Sequence, residues 1–408
     1  MKSTSVWGIT ELFVWMYEQE RTGTEVEDML QAHLDCGIKS VIWALGRSVL
    51  NYHSDLPNTT LYSGDERPET AVIGEAMQER CCLRAALRFA EKHQMTLYGR
   101  LCMNRHYAGG YGGGLTSEWA ASHREWHCVG KDGERDGSRM SYFFPEVRQE
   151  RVDILCEAAR IGCHGLVLDF CRQIPMMRYH PELVDAYMKQ GNTDPRTLDV
   201  GSPEFMEWAR FRAEYVTRFM RQLREALREV ESDTGRDIPV VARVPDLGLK
   251  MNVMESCDIE TWAREDLIDV ICTDPFRWVG LQDYPDTIAP YVRLGETSGI
   301  PVWGGCNTTP MENVPVDPLS MMRLALRQYD EGADGMALYQ TDTGCVDERV
   351  NWAIELMDDP EALRDSLEDP DLRARYRRRK NSHYFGLDNH TRVAGLTKHY
   401  VPFPYDAI

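Results

Sequence analysis

The feature that most constrains this 408-residue chain is a regular alternation of short β-type runs with amphipathic helical segments. Such alternation is typical of βα units arranged around a parallel sheet. Eight runs have strand character: SVWGIT (5–10), SVIWALG (40–46), TLYGRLCMN (96–104), GLVLDF (165–170), PVVARVPD (239–246), DVICTDP (269–275), PVWGGCN (301–307) and GMALYQTD (335–342). A doubly wound sheet usually has fewer strands and a phosphate-binding glycine turn after its first strand, which WGITEL lacks.

Helical periodicity is clearest over residues 203–231, where apolar residues recur every three or four positions. Ser202 is a suitable N-cap for this helix, and Pro203 suits its first position. Other helical segments end on a glycine that leads straight into the next strand, as in CGIKSVIW and SGIPVWGG. The seven other predicted helices are 24–36, 75–93, 147–161, 258–267, 285–298, 317–331 and 347–367. Together the elements predict an α/β fold, a (β/α)8 TIM barrel over residues 1–367.

Two segments exceed a minimal barrel. Residues 104–146 form a long β3α3 loop that contains the run AGGYGGG (108–114). This run lacks the Gly-Lys-Ser/Thr ending of a phosphate loop, so a lid or an irregular pocket wall is the better interpretation. Residues 368–408 form a basic and then aromatic extension. We expect this extension to pack on the barrel or on a neighbouring subunit, and the second arrangement would make the protein a homo-oligomer.

Composition excludes several classes of partner. A net charge of −19 argues against nucleic acid and anionic membranes as partners, because both attract clustered Lys and Arg. No run approaches the roughly 18–20 apolar residues of a membrane span, and MKSTSVWGITELF lacks a signal-like apolar region. We therefore expect a cytoplasmic protein, although a leader removed from the natural chain would leave the same start. The 12 cysteines show no zinc-binding spacing, so neither a metal nor a cofactor is predicted.

Acidic residues close four of the predicted strands. They are Asp169, Asp246, Asp274 and Asp342. Active sites of barrels of this type lie at the C-terminal ends of the strands, so these four are candidates for catalysis. An aspartate after a strand also caps helices and turns, and this structural role is the alternative for each.

Aromatic and polar residues surround the same strand ends. Flat aromatic rings mixed with Asp, Asn, Arg and His suit the apolar faces and hydroxyl rims of sugars. The alternative for each tryptophan is packing between strand and helix. The predicted substrate-binding residues are Trp43, Arg47, His106, Arg172, Arg243, Asp246, Trp278, Trp303, Asn307, Tyr339 and Asp342.

Hydrolysis of a glycoside requires two carboxyl groups, one that protonates the leaving oxygen and one that acts as nucleophile or base. A nearby arginine, Arg172 or Arg243, would keep Asp169 ionised as nucleophile or base. Aromatic walls around Trp278 would raise the pKa of Asp274 and make it the general acid. The carbohydrate substrate, the anomer and the stereochemistry are not specified by these residues.

The chain resembles glycoside-hydrolase-like barrels, the family-10-like and uncharacterised glycosyl hydrolases, which are distantly similar to the α-galactosidase and α-amylase barrels. The resemblance lies in GCHGLVLDFCR (162–172), SYFFPEVRQERVDIL (141–155) and DIETWAREDLIDVICTDPF (258–276), and it covers roughly residues 5–360. It implies a hydrolase. In α-galactosidase-type barrels the nucleophile ends strand 4 and the acid/base ends strand 6, which correspond here to Asp169 and Asp274.

The α-amylase pattern fits less well. It implies an arginine two residues before the strand-4 aspartate and a glutamate at the end of strand 5, whereas this chain has Val167 and Asp246 there. Asp246 therefore remains a rival acid.

Two other functions fit the same fold. A divalent-metal sugar isomerase or aldolase would draw Asp169, Asp274, Asp342 and His106 around one ion. A non-catalytic sugar-binding barrel is the second, because a fold does not determine an activity.

Overall fold

The computed structural model describes residues 5–12, 15, 22–47, 49–62, 68–106, 115–171, 175–275, 287–308, 318–347, 350–369 and 371. Within these residues eight parallel strands close into a barrel, and an antiparallel hairpin is formed by β4 and β5. The strands are β1 (Ser5–Ile9), β2 (Ser40–Gly46), β3 (Thr96–Cys102), β4 (His127–Val129), β5 (Arg135–Met140), β6 (Gly165–Asp169), β7 (Val240–Pro245), β8 (Val270–Asp274), β9 (Val302–Asn307) and β10 (Gly335–Tyr339). The barrel order is β1-β10-β9-β8-β7-β6-β3-β2. Hence the predicted (β/α)8 barrel is confirmed, and all eight predicted strands belong to it.

Helices alternate with the strands as expected, although two predicted helices are divided. The segment 75–93 gives α2 and α3, with extended backbone at Cys81 between them, and 347–367 gives α13 and α14. The helices are α1 (Glu25–Asp35), α2 (Pro68–Glu79), α3 (Cys82–His93), α4 (Glu118–Ser122), α5 (Pro145–Ile161), α6 (Pro181–Met188), α7 (Pro203–Thr234), α8 (Leu249–Met254), α9 (Ile259–Arg264), α10 (Ala289–Ser298), α11 (Pro318–Asp330), α12 (Thr341–Gly344), α13 (Asn351–Ile354) and α14 (Pro360–Glu368).

The longest helix, α7, shows how the sequence determines local structure. Ser202 accepts a hydrogen bond from the backbone N–H of Phe205 at 3.1 Å, which satisfies one of the free donors in the first turn. Gly235 ends the helix in the left-handed region at φ 66°, where a residue without a Cβ is favoured. Between these ends, Trp208, Phe219 and other apolar residues of one face are buried. This face packs α7 against α5 and the barrel wall.

The barrel strands separate two hydrophobic layers. The outer layer fills the space between strands and helices. The inner layer fills the barrel itself with residues such as Ile42, Val167, Val241 and Cys272. Trp7 and Trp303 stack within this inner layer, with ring centroids 4.6 Å apart. The interior is thus a packed core, and polar groups concentrate where the strands end.

The loop after β3 carries more structure than the sequence predicted. Between β3 and α5 it contains α4 and the β4–β5 hairpin, while the glycine run 108–114 lies outside the described residues. The C-terminal extension also lies outside them from residue 372 onward. All twelve cysteines are free thiols. No helix in the described segments is long and apolar enough to cross a membrane.

Candidate active site

Buried ion pairs connect the C-terminal ends of several strands. Arg100 of β3 donates from Nη1 to Oδ2 of Asp169 at 2.5 Å, and Arg243 of β7 donates from Nη1 to Oδ1 of Asp169 at 2.8 Å. The second terminal nitrogen of Arg243 donates to Oδ1 of Asp274 at 2.5 Å. One guanidinium group therefore holds the carboxylates that end β6 and β8.

Glu11 joins this network of ion pairs from the first strand of the barrel. It lies two residues after β1, and its Oε1 accepts a hydrogen bond from Nη2 of Arg100. Arg47 lies 3.6 Å from Oε2 of Glu11, and the hydroxyl of Tyr339 donates to Oε1 at 3.2 Å. The Tyr339 ring lies 4.8 Å from Cζ of Arg243, within the range of a cation–π contact. We call these seven residues the mouth cluster: Glu11, Arg47, Arg100, Asp169, Arg243, Asp274 and Tyr339.

The alternation of side chains along the strands explains why these residues meet. Successive side chains of a strand face opposite sides of the sheet, so every second residue points into the barrel. Val167 and Val241 belong to the inner core, and Asp169 and Arg243 follow them by two positions on the same face. The register of β6 and β7 pairs Asp169 directly with Arg243. A charged residue at the end of an inward-facing row therefore lies at the barrel mouth.

The mouth cluster keeps Asp169 ionised. Burial by itself would raise the pKa of this carboxyl, but the charges of Arg243 and Arg100 outweigh burial and hold the pKa well below its ordinary value. Burial would likewise lower the pKa of both arginines, yet the neighbouring carboxylates raise it well above the ordinary value. Asp169 is therefore a carboxylate at neutral pH, as a nucleophile or general base must be.

Hydrogen bonds use most of the acceptor capacity of Asp169. Its Oδ2 accepts from Arg100 and from the thiol of Cys102 at 3.9 Å, and its Oδ1 accepts from Arg243 and from the backbone N–H of Cys171 at 3.1 Å. A carboxylate has about four lone-pair positions. The four contacts match this number and orient the carboxylate tightly.

One contact of Asp274 was not expected, while its predicted aromatic neighbour Trp278 lies outside the described residues. The sequence analysis expected Asp274 to lie beside aromatic walls that favour its neutral form, whereas Arg243 binds it directly. A guanidinium group favours the charged form of a carboxyl. Because Arg243 is shared, each of the two aspartates has a cationic neighbour.

Two predicted substrate-binding tryptophans do not reach the mouth. Trp43 is fully buried in the outer layer between strands and helices, because it alternates with the inward-facing Ile42. Trp303 faces into the barrel, but it lies near the start of β9, where it pairs in register with Gly335 at the start of β10. It fills the floor of the barrel against Trp7. Both predictions are corrected: these rings pack the core.

His106 also lies away from the mouth cluster. Its Nε2 is 3.6 Å from Oε2 of Glu150 on α5, so it occupies the layer between the barrel and that helix. Burial, reinforced by the charge of Arg151, lowers the pKa of His106 to about 4. The histidine is therefore a neutral, buried residue next to α5, and the prediction that it lines the pocket is corrected.

The other predicted residues have mixed placements. Asp342, in α12, accepts a hydrogen bond at Oδ1 from the backbone N–H of Glu11 at 2.9 Å and so lies beside the mouth cluster. The backbone N–H of Asp246 donates to the carbonyl of Asp274 at 3.1 Å. Asn307 ends β9 in register with Tyr339. Three predictions lie outside what the structure describes: Arg172, Trp278 and the side chain of Asn307.

Two members of the mouth cluster escaped the sequence analysis. Arg100 lies inside an apolar strand, TLYGRLC, where a lone charge is unusual. Glu11 follows the first strand, within the ITEL segment. A search for charges inside buried strands would have found Arg100. Glu11 carries no comparable local signal, because an acid after a strand is also common in turns.

The fold and the site define a class: a (β/α)8 barrel with buried, alternating carboxylates and guanidinium groups at its C-terminal mouth. No family model matches the sequence. No curated protein matches it either.

Several solved structures resemble the chain. A noncanonic maltogenic α-amylase from Thermotoga neapolitana has a TM-score of 0.45 at 10% identity and matches 91% of this chain and 78% of its own. An inactive variant of a GH20 exo-β-N-acetylglucosaminidase from Vibrio harveyi has a TM-score of 0.47 at 10% identity, over 92% of this chain and 59% of its own. A Nostoc punctiforme debranching enzyme has a TM-score of 0.47 at 12% identity, and the match covers 91% of this chain and 82% of the enzyme's chain.

Proposed function

We propose that this protein is a carbohydrate-active hydrolase that cleaves a glycosidic bond between Asp169 and Asp274. The observation that supports this proposal is the sharing of Arg243, which brings two strand-end carboxylates together at the mouth of the barrel. Two carboxyl groups that flank one site are the minimal equipment for glycoside hydrolysis.

In the proposed mechanism Asp169 acts as the nucleophile or as the base that activates water. The two arginines keep it charged, and the four hydrogen bonds to its oxygens orient it before the substrate binds. Positive charge develops on the sugar ring in the transition state of glycoside hydrolysis, and the ionised Asp169 lies where it can stabilise that charge.

Asp274 acts as the general acid. This role requires a proton, and the contact with Arg243 opposes protonation. We therefore propose that the bound substrate draws Arg243 away from Asp274, after which the buried carboxyl takes up a proton. A pH–rate profile of kcat/KM, which reports the free enzyme, should then differ on its alkaline limb from that of kcat, which reports the complex.

The location of Arg243 favours the hydrolase over the metal-dependent isomerase or aldolase. A cationic side chain lies between the two aspartates, where the alternative needs a divalent ion. In the described part of the chain, no three His, Cys, Asp or Glu side chains are placed to hold one metal ion. The non-catalytic sugar-binding barrel is separated from the hydrolase by experiment.

The test is hydrolysis of a panel of aryl glycosides and oligosaccharides by the wild type, Asp169→Asn and Asp274→Asn, each with and without EDTA. We expect activity that survives EDTA and falls at least about a thousandfold in both variants. Asp136→Asn is the matched control. Asp136 is also a buried carboxylate, which pairs with Arg139 and lies 3.4 Å from Arg178, but it belongs to the β4–β5 hairpin.

The control separates lost chemistry from lost folding. Asp136→Asn should lower stability, yet each folded molecule should keep its activity. Activity in the aspartate variants equal to that of the wild type would refute the site, and activity that depends on added metal would favour the isomerase or aldolase. A chain that binds oligosaccharides without cleaving any of them would be a binding barrel.

A further inference from the structure

We propose that Asn104 is a substrate-binding residue that hydrogen-bonds a hydroxyl group of a neutral carbohydrate beside Asp169. This inference rests on the proposed function and adds a residue to its site. Asn104 follows β3 by two positions and is 2% exposed. Within the part of the chain that the structure describes, neither its amide oxygen nor its amide nitrogen has a hydrogen-bond partner.

An amide in this state calls for an explanation. Nearly all buried polar side-chain atoms in native proteins have a partner, because an unsatisfied donor or acceptor loses its bonds to water without replacement. Asn104 leaves its donor nitrogen and its acceptor oxygen unsatisfied together. A ligand that supplies both kinds of partner would remove this cost upon binding.

The backbone holds Asn104 next to the proposed nucleophile. The N–H of Met103 donates to the carbonyl of Asp169 at 3.0 Å, and the carbonyl of Met103 accepts from the hydroxyl of Tyr142 at 2.5 Å. Adjacent Cα atoms are about 3.8 Å apart, so Asn104 lies within one residue of a direct contact with the end of β6.

The following residues are held equally firmly. The carbonyl of Arg105 accepts from Nη2 of Arg151 at 2.7 Å, and the N–H of His106 donates to the carbonyl of Ser138 at 3.0 Å. Because the backbone is fixed on both sides, Asn104 cannot easily move its amide toward water. The amide is therefore preorganised, as expected of a residue that binds a ligand.

The chemistry of the amide indicates the class of ligand. An asparagine side chain offers two donors and an acceptor without a net charge. A sugar hydroxyl both donates and accepts. Of two adjacent hydroxyl groups, one can therefore accept from the amide nitrogen while the other donates to the amide oxygen. An anion would pair only with the amide nitrogen, and a cation only with the amide oxygen. The other polar atom of Asn104 would then stay unsatisfied in the ligand complex.

The experiment replaces Asn104 by leucine, which has nearly the same shape and no polar atoms. The matched control is Asn252→Leu. Asn252 is also fully buried, but its Nδ2 donates to the carbonyl of Pro245 at 2.9 Å and its Oδ1 accepts from the hydroxyl of Tyr291 at 2.5 Å. Thermal unfolding and calorimetric titration with maltohexaose, cellohexaose, xylohexaose, mannohexaose and chitohexaose are measured for the wild type and both variants. Where an oligosaccharide is cleaved, kcat/KM replaces the dissociation constant.

We expect Asn104→Leu to keep or raise the melting temperature and to weaken oligosaccharide binding by about tenfold to a hundredfold. Asn252→Leu should lower the melting temperature while the folded fraction keeps its affinity. Unchanged affinity in Asn104→Leu, a melting temperature lowered as in the control, or no binding of any oligosaccharide by the wild type would each overturn the inference. Binding without cleavage would refute the hydrolase and leave Asn104 to be judged by the dissociation constants.

Discussion

Replacement of Arg243 by methionine removes the cation that two buried carboxylates share. Removing one partner of a buried ion pair typically lowers the free energy of unfolding by about 3–5 kcal/mol, because the other partner remains buried and uncompensated. Asp169 keeps its contact with Arg100 at 2.5 Å, whereas Asp274 loses the contact with Arg243. We therefore expect a loss of about 3–5 kcal/mol at neutral pH, measured by urea unfolding.

The loss should depend on pH in a defined direction. In the wild type the pKa of Asp169 is lowered, so its stabilising contribution is present above the unfolded pKa of about 3.9 and disappears as the pH falls below it. In Arg243→Met both carboxylates stay buried with one cation fewer, and Asp169 keeps only Arg100, so we expect their folded pKa values to lie above those of the wild type. An acid whose folded pKa is higher contributes less stability as the pH increases. The difference between variant and wild type should therefore be larger at about pH 8 than at about pH 5.

A surface ion pair provides the control. Nη1 of Arg228 lies 2.9 Å from Oε2 of Glu225, but the two side chains are 67% and 73% exposed. Arg228→Met should change the free energy of unfolding by less than about 0.5 kcal/mol at either pH. Equal losses in the two variants, or a loss in Arg243→Met that does not vary with pH, would refute the electrostatic account of the mouth cluster.

Two further predictions concern packing and capping. Trp303→Ala should lower the free energy of unfolding by about 3–5 kcal/mol through the cavity left in the barrel floor, while KM for any substrate of the panel stays within about twofold; a large rise in KM would restore Trp303 to the binding site. Ser202→Ala should cost about 1 kcal/mol by removing the cap of α7, and thermal unfolding of Ser202→Thr, which keeps the hydroxyl, should show most of that stability retained; equal losses in both variants would contradict the role of the cap.

The mouth cluster is difficult to explain as a device for stability. Transfer of charged groups from water into a protein interior costs several kcal/mol per ion, and well-packed apolar residues often replace such groups without loss. Here at least five charged side chains are almost completely buried at the rim where barrel enzymes place their sites: Glu11, Arg100, Asp169, Arg243 and Asp274. Their concentration at this end of the barrel supports the proposed function.

The barrel itself was predictable because its signals are local. The apolar run GLVLD predicts a strand. The cap, the apolar period and the terminal glycine of α7 together predict a helix. A chain with eight strand–helix units in succession has few alternatives to closing its sheet into a barrel. The loop after β3 was harder to predict, because a short hairpin such as β4–β5 depends on contacts with the rest of the protein more than on its own sequence.

The candidate site was predictable in part. Strand-end position identified Asp169 and Asp274, and Arg243 was identified among the polar residues that surround the same strand ends. Assigning residues of the strand ends to the pocket failed for Trp43 and Trp303. Membership of a strand does not specify which face of the sheet a side chain occupies or how far along the barrel axis it lies. This assignment also missed Glu11, which reaches the cluster from the opposite end of the chain.

The sequence by itself determined the number and order of the βα units, because each unit is encoded by short-range periodicity and by its own start and stop residues. Only the tertiary structure decided that Arg243 serves both aspartates and that His106 turns toward Glu150. Those contacts depend on side-chain direction and strand register across a closed barrel. Side-chain direction and strand register depend on how distant segments pack together, so a local pattern of residues does not predict them.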